Sequence, residues 1–511
     1  MLKKFKKNNK KLQNYAHKII PGLSGLLGKR PEMYLPGGDW PTYYSKAKGL
    51  NIWDLQGRKY LDFTMVGVGS CVLGYSDDDI DRIARKIISS GPLTTLNPPE
   101  EIELAEILLD IHKWADQVKF ARTGGEMMAV AIRLARAYTK REKIMICGYH
   151  GWHDWYLATN ISSSNNLDNH LLPGLNPLGV PKGLKDTIIP FNFNSCDDLK
   201  NVVMKHAKEC AAIIMEPARN SLACKKFLKE IRKIATKNKT VLIFDEITSA
   251  WRNDTSGIHK ELGVNPDLST FGKTMANGIP MAALIGKKKI MEKAKDTFVS
   301  STNWTERLGP ACSIAFIKKH KRLNLGEVLK NKGMMIRDIW NQSAMDAKLD
   351  IKFSGILPLS SFKIETNNKN DWPIIITYFI QEMLKHRRLN LGEVLKNKGM
   401  MIRDIWNQSA MHAKLDIKFS GILPLSSFKI ETNNKNDWPI IITYFIQEML
   451  KHRILASDRC YSNYCQSEIF LDKYHKACKK IFKKISFHLA KKDLKKQLKG
   501  PIKQMGFKRL T

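Results

Sequence analysis

Three short, almost wholly apolar runs, "KIMICG", "AAIIME" and "VLIFDE", constrain this chain more than any other feature. Runs of that length without polar alternation are strands buried on both faces. Between the second and third, "KKFLKEIRKIATKNK" carries apolar residues at helical spacing. "EIELAEILLDIHKWA" and "GGEMMAVAIRLARAYTK" do the same earlier in the chain. Strand, helix, strand in this rhythm predicts an α/β fold, a mostly parallel sheet flanked by helices. Ligands of such sheets lie at the carboxyl ends of the strands, so the residues following each run are the candidates for function.

At 511 residues the chain exceeds one typical core, which predicts two domains or one large α/β domain with appendages. Apolar residues at 43%, with 11 Trp and 20 Phe, suffice for a sizeable core and exclude wholesale disorder. The net charge of +35 raises the question of a polyanionic partner. The excess is mostly lysine, spread along the chain among many Asn and Ile, without an RNA-module aromatic signature or a helix-turn-helix cue. It reads as compositional bias, with no nucleic-acid partner expected. A basic RNA- or membrane-surface protein, the alternative, would bind in a steeply salt-dependent way. Nine scattered cysteines without CxxC pairs read as free thiols in a reducing compartment. The basic start leads only to "IIPGLSGLL", a poor signal peptide, and no apolar run approaches the roughly 20 residues of a membrane span. A cytoplasmic protein without a membrane partner is expected.

A near-identical repeat begins at Arg322 and again at Arg388, running to Arg387 and Arg453, and its copies differ at Asp346 against His412. Solenoid units diverge while keeping a pattern, so two copies this alike, with a period of about 66 residues, are a recent tandem duplication or a gene-assembly error. Only the first copy follows the preceding helix, and only the second runs on into the C-terminal region. The expectation is that one copy is extruded or swapped between subunits. An extruded copy would expose "WPIIITYFI", an aggregation hazard.

After "VKFA" comes a glycine pair opening a helix, Gly124 and Gly125, a natural phosphate seat. After "KIMIC" comes "GYHGWHDWY"; after "AAIIM", Glu216; after "VLIF", Asp245 and Glu246; after "LSTFG", Lys273. Three readings compete for Lys273: a phosphate-loop lysine, a covalent catalyst and a solvated loop residue. The first requires glycine at position 267, where Asp267 would oppose phosphates, and it reverses the usual order of acidic strand and loop. The covalent reading asks for an amine that can attack an aldehyde, which desolvation at a strand end favours. Pyridoxal 5'-phosphate supplies the aldehyde and asks three further things. Its phosphate needs donors, which Gly124 and Gly125 offer. Its ring nitrogen needs a carboxylate, which Asp245 offers. Its ring faces need packing, which Tyr149 and Ile247 offer. No rival reading uses all of these residues.

From "KGLNIWDLQGRKYLDF" to "ERLGP" the chain resembles the class III, fold type I aminotransferases, and is most similar to their glutamate-1-semialdehyde aminomutase branch. "YHGWHD", "DEITSAWR" and "FGKTMANGIP" carry the likeness. The resemblance implies a large domain with a mostly parallel seven-stranded sheet at 61–310, flanked by an N-terminal segment at 1–60 that begins the small domain. The C-terminal small domain, at 311–511, contains the copies 322–387 and 388–453. It also implies a homodimer. Residue by residue, it implies that Lys273 forms the imine with the cofactor, Asp245 holds the pyridinium and Tyr149 stacks on the ring. Gly124 and Gly125 would donate to the phosphate, Thr302 would reach the partner subunit's phosphate, and Glu216 would lie near cofactor and substrate.

The family's Asn-Ser-Gly-Thr-Glu-Ala is "RTGGEM" here, so a hydroxyl gives way to Gly125, and "EPARN" is one residue short before Asn220. "NWTERLGP" replaces the aminomutase's Gly-Asn-Pro ending. The expected activity is transamination between an amino donor and a carbonyl acceptor. The alternatives are the intramolecular aminomutase and a paralogue impaired by the duplication.

Overall fold

A computed structural model describes residues 9–35, 40–170, 174–218, 221–347, 349–365, 417–420, 422–423, 427–430, 438–456, scattered positions between 470 and 488, and 494–502. The three apolar runs become strands Lys143–Cys147, Cys210–Met215 and Val241–Asp245, side by side in one seven-stranded sheet. The full order is Gln117–Ala121, Ala282–Gly286, Leu268–Phe271, Val241–Asp245, Cys210–Met215, Lys143–Cys147, Ile188–Pro190. Every residue of Cys210–Met215 and Val241–Asp245 is buried, as strands covered on both faces must be. Ala282–Gly286 runs antiparallel to both neighbours while the other pairs are parallel. The short apolar "AALIG" carries no side-chain signal of its direction.

The helices cover this sheet through the faces expected of them. Helix Lys225–Lys237 buries Phe227, Leu228, Ile231, Ile234 and Ala235, one stripe at helical spacing, against the strands. Helix Gly124–Thr139 buries Met127, Met128, Val130, Ala131, Ile132, Leu134 and Ala135 on the other side, and its N-terminus faces the carboxyl ends of the parallel strands.

A second, four-stranded sheet joins the two ends of the chain. Strands Tyr44–Lys48, Asn51–Asp54 and Lys59–Phe63 are completed by Ile454–Ala456, which pairs parallel to Lys59–Phe63. Behind it lies a core that answers part of the repeat question. Trp340, Phe362 and Ile364, from the first copy, pack in one cluster with Tyr444, Ile446 and Met449, from the second. Helix Leu325–Asp346 and hairpin Ile351–Ile356/Ser361–Ile364 therefore enter this core from the first copy and helix Trp438–Lys451 from the second, beside N-terminal Tyr34, Trp40, Leu50 and Phe63. The second copy's hairpin, Ile417–Ser420 with Ser427–Ile430, repeats the first hairpin's register pair for pair. The first-copy counterpart of helix Trp438–Lys451 and the second-copy counterpart of helix Leu325–Asp346 lie outside the described residues, as does the "WPIIITYFI" of the first copy.

Candidate active site

The carboxyl ends of the central strands enclose a cavity of about 280 Å³. Gly124, Gly125, Tyr149, Asp245, Ile247 and Lys273 all line it, so six of the eight candidate residues meet in one place.

Asp245 ends strand Val241–Asp245 with only 3% of its surface exposed. Its Oδ1 accepts the N–H of Ile247 at 3.1 Å and the Thr270 hydroxyl at 3.4 Å, and its Oδ2 lies 2.9 Å from His150 Nδ1. Ile247, two residues on, turns back over the cavity. A Cβ built on Gly124 would stand 2.6 Å from Ile247 Cδ1, so only glycine lets the helix start this close to that side chain. Thr123 and Glu126 close a capping box around the same helix start. Glu126 Oε2 accepts the N–H groups of Arg122 and Thr123, while the N–H groups of Gly124 and Gly125 belong to the first turn, where intrahelical partners are lacking.

Lys273 follows strand Leu268–Phe271 and Gly272 with a left-handed φ of 45°, a costly conformation for a residue with a Cβ. Asn277 holds this turn in place. Its amide accepts Leu73 N–H at 2.9 Å and donates to Gly74 O at 3.0 Å. The strained turn delivers the Lys273 ammonium into the cavity, where Nζ donates to Thr248 Oγ1 at 2.6 Å.

Tyr149 leaves strand Lys143–Cys147 and meets Tyr156 edge-on, ring centroids 5.8 Å apart. Glu216, expected near cofactor and substrate, is 3% exposed and does not line the cavity. Its Oε2 accepts the Tyr149 N–H at 2.9 Å, so its carboxylate fixes the backbone that carries the ring. Thr302 likewise lies outside the cavity, exposed, at the start of the helical turn Thr302–Thr305. That turn is pinned to the helix start by Arg122, whose Nη2 donates to the carbonyls of Trp304 at 2.9 Å and Glu306 at 2.5 Å. Arg122 Nε pairs with Glu306 Oε1 at 2.7 Å, and Trp304 Nε1 donates to Glu126 Oε1 at 3.2 Å.

Several of these residues had no role assigned from the sequence. Thr123-x-x-Glu126 was readable as a capping box. His150, Thr248 and Arg122 offered no signal, because their partners lie far away in the chain or across a loop. Among the described residues no cluster of His, Cys, Asp or Glu could hold a metal ion.

A seven-stranded, mostly parallel sheet with a lysine, a carboxylate and a glycine helix start at its carboxyl edge defines a fold type I transferase. The same fold is found in an omega-transaminase from Sphaerobacter thermophilus, with a TM-score of 0.68 at 20% identity, over 93% of this chain and 98% of that one. A transaminase solved with PLP bound aligns with a TM-score of 0.69 at 19% identity, over 94% and 98% of the two chains.

Sequence comparison narrows the class. Residues 35–405 match the family aminotransferase class-III, and the chain belongs to that family. It is 31% identical over 359 residues to 3-aminobutyryl-CoA aminotransferase of Cloacimonas acidaminovorans, covering 68% of this chain and 82% of the relative. It is 32% identical over 326 residues to glutamate-1-semialdehyde 2,1-aminomutase of Nitrosopumilus maritimus, covering 62% and 74%. The protein is thus an enzyme of amino-group transfer.

Proposed function

We propose that the cavity binds pyridoxal 5'-phosphate, that Lys273 is the residue bonded to it, and that the enzyme moves an amino group between two separate substrates. The convergence of Lys273, Asp245, Tyr149, Ile247, Gly124 and Gly125 on one cavity carries this reading. The residues suit the group chemically. They supply an amine for the aldehyde, a carboxylate for the ring nitrogen, a flat and a branched side chain for the ring faces, and helix-terminal N–H groups for the phosphate. When bound, the cofactor supplies an electron sink that acidifies the carbon bearing the amino group.

The chain's own residues do the rest. Asp245, held by Ile247 N–H, Thr270 and His150, keeps its charge aimed at one point of the cavity. Lys273 Nζ, released when the donor's amine takes its place, accepts the proton from the amine-bearing carbon as general base and gives it up at a different carbon as general acid. Gly124 and Gly125 bind the phosphate, and Tyr149, its backbone held by Glu216, fixes the ring plane.

We assign Thr302 to the partner subunit's phosphate in a homodimer. In support, Leu93 and Leu96 are 43% and 80% exposed in a segment whose Pro92 carbonyl accepts Arg307 N–H, close to the Thr302–Thr305 turn. The small domain comprises 1–60 and 311–511, in keeping with strand Ile454–Ala456 completing the N-terminal sheet. Among the described residues no disulfide is formed, which suits a cytoplasmic enzyme. The similarity to a 3-aminobutyryl-CoA aminotransferase favours a donor whose amino group is not on the carbon next to a carboxylate.

The test is hydride trapping with the cofactor followed by peptide mapping, which should find the label on Lys273. A screen of amino donors should then convert the bound cofactor to its aminated form without an added acceptor. Turnover of glutamate-1-semialdehyde alone would instead establish the intramolecular reaction. An unlabelled Lys273 would overturn the whole assignment.

A further inference from the structure

We infer that Thr248 is the hydroxyl that orients the reactive amine, an inference that rests on Lys273 being the residue bonded to the cofactor. The two side chains line the same cavity, and Lys273 Nζ donates to Thr248 Oγ1 at 2.6 Å. Thr248 sits three positions beyond Asp245, so one loop carries both the ring-nitrogen carboxylate and the partner of the amine.

That loop is firmly held. Arg252, 1% exposed, donates from Nε to the Thr248 carbonyl at 3.2 Å. Glu246 N–H donates to Thr270 O at 3.0 Å, and the Thr274 hydroxyl donates to Ala250 O at 3.3 Å. The 245–252 loop is therefore stitched to the 270–274 segment on both sides of the Lys273–Thr248 contact.

A lysine amine on four flexible carbons must present its lone pair first to the cofactor aldehyde and then to the substrate carbon. A fixed hydroxyl can accept an N–H from either the ammonium or the free amine, so it retains the nitrogen through both protonation states. With one N–H directed to Thr248, Nζ is kept at the wall of the cavity that both residues line. Holding a reacting group in this way lowers the entropic part of the barrier.

Three variants test this. Thr248→Val removes the hydroxyl with the shape nearly kept, Thr248→Ala removes it with no packing demand, and Thr248→Ser restores it. Apoprotein is mixed with pyridoxal 5'-phosphate, and the growth of visible absorbance reports capture of the aldehyde by Lys273. With a good amino donor, kcat, KM and the isotope effect of deuterium on the amine-bearing carbon are then measured.

Val and Ala should slow capture and kcat about tenfold, the equivalent of one hydrogen bond to a charged group, with KM within about twofold and a larger isotope effect. Ser should lie within about threefold of the unaltered protein in every measure. Val and Ala variants that capture the aldehyde at the normal rate with an unchanged isotope effect would overturn the inference, as would a Ser variant as impaired as Val. If the unaltered protein shows no label on Lys273, the functional reading fails first and this inference with it. If Lys273 is labelled and only the Thr248 variants behave normally, the functional reading stands and this inference alone fails.

Discussion

His150 Nδ1 lies 2.9 Å from Asp245 Oδ2, and both side chains are almost wholly removed from water, at 0% and 3% exposure. The imidazole Nε2 is buried with no hydrogen-bond partner among the described residues. Because the carboxylate can only accept, Nδ1 carries a proton and donates it to Asp245. His150 thus positions Asp245 and fixes the direction of its charge.

Removing that donor should cost catalysis without removing the cofactor. His150→Phe is expected to lower kcat about 10–100-fold, the loss of one charge-assisted hydrogen bond. Asp245→Asn should cost more, on the order of 10²–10⁴, because it removes the charge itself. Steady-state kinetics alongside the absorbance of bound cofactor separates the two effects.

Acid should destabilise the fold through two buried imidazoles. Desolvation lowers the pKa of His112 to about 2 and of His320 to about 4. Unfolded histidine takes up its proton near pH 6.5. Both rings are depressed bases, so their contribution is complete above pH 6.5 and is lost as the pH falls. For His320 the loss runs down to about pH 4, and for His112 further, to about pH 2. Between pH 6 and 4 together they should steepen the fall in stability by up to about 2.7 kcal/mol per pH unit. Denaturant unfolding across that range, compared with a His320→Phe variant of shallower slope, checks the sign and the size.

A buried network beneath Asp245 should be worth more to folding than to chemistry. Glu246 Oε1 accepts His259 N–H at 2.8 Å and lies 2.9 Å from His259 Nδ1, while Ser249 donates to Oε2. Trp114 Nε1 lies 3.0 Å from His259 Nε2; since an indole can only donate, the histidine proton is on Nδ1, facing Glu246. Glu246→Ala should destabilise the protein by about 3–5 kcal/mol, since it strands three buried donors. Glu246→Gln should recover part of that loss. Thermal unfolding with and without cofactor measures both.

Excising residues 366–431 should leave a folded, active enzyme. Thr432 onward repeats Thr366 onward, so Glu365 meets the sequence that follows it naturally. Trp340, Phe362 and Ile364 keep Tyr444, Ile446 and Met449 as core neighbours. Expected are solubility and specific activity at least equal to those of the full chain, read by size-exclusion chromatography and a transaminase assay. Greater activity in the full chain would show that the second copy contributes to the enzyme.

Much of the architecture could be read from local pattern. "AAIIME" and "VLIFDE" could be little other than doubly covered strands, and helix Lys225–Lys237 displays its buried stripe in its spacing. The residues that line the cavity were legible because a parallel sheet sends the residues after its strands to one edge. The antiparallel Ala282–Gly286 was not legible, since its direction depends on neighbours that the segment does not encode. Nor was the position of Glu216, because distance along a strand end does not say whether a carboxylate faces the cavity or the backbone of the neighbouring loop.

The amino-acid order alone determined which chemistry was available: one lysine, one carboxylate and one pair of glycines, each placed after its own buried strand, because periodic burial and strand-end position are local properties. Tertiary structure decided which side chains serve that chemistry. Thr248 meets Lys273, His150 meets Asp245, and halves of two repeat copies close one core. These are contacts between segments distant in the chain, and only packing brings them within reach.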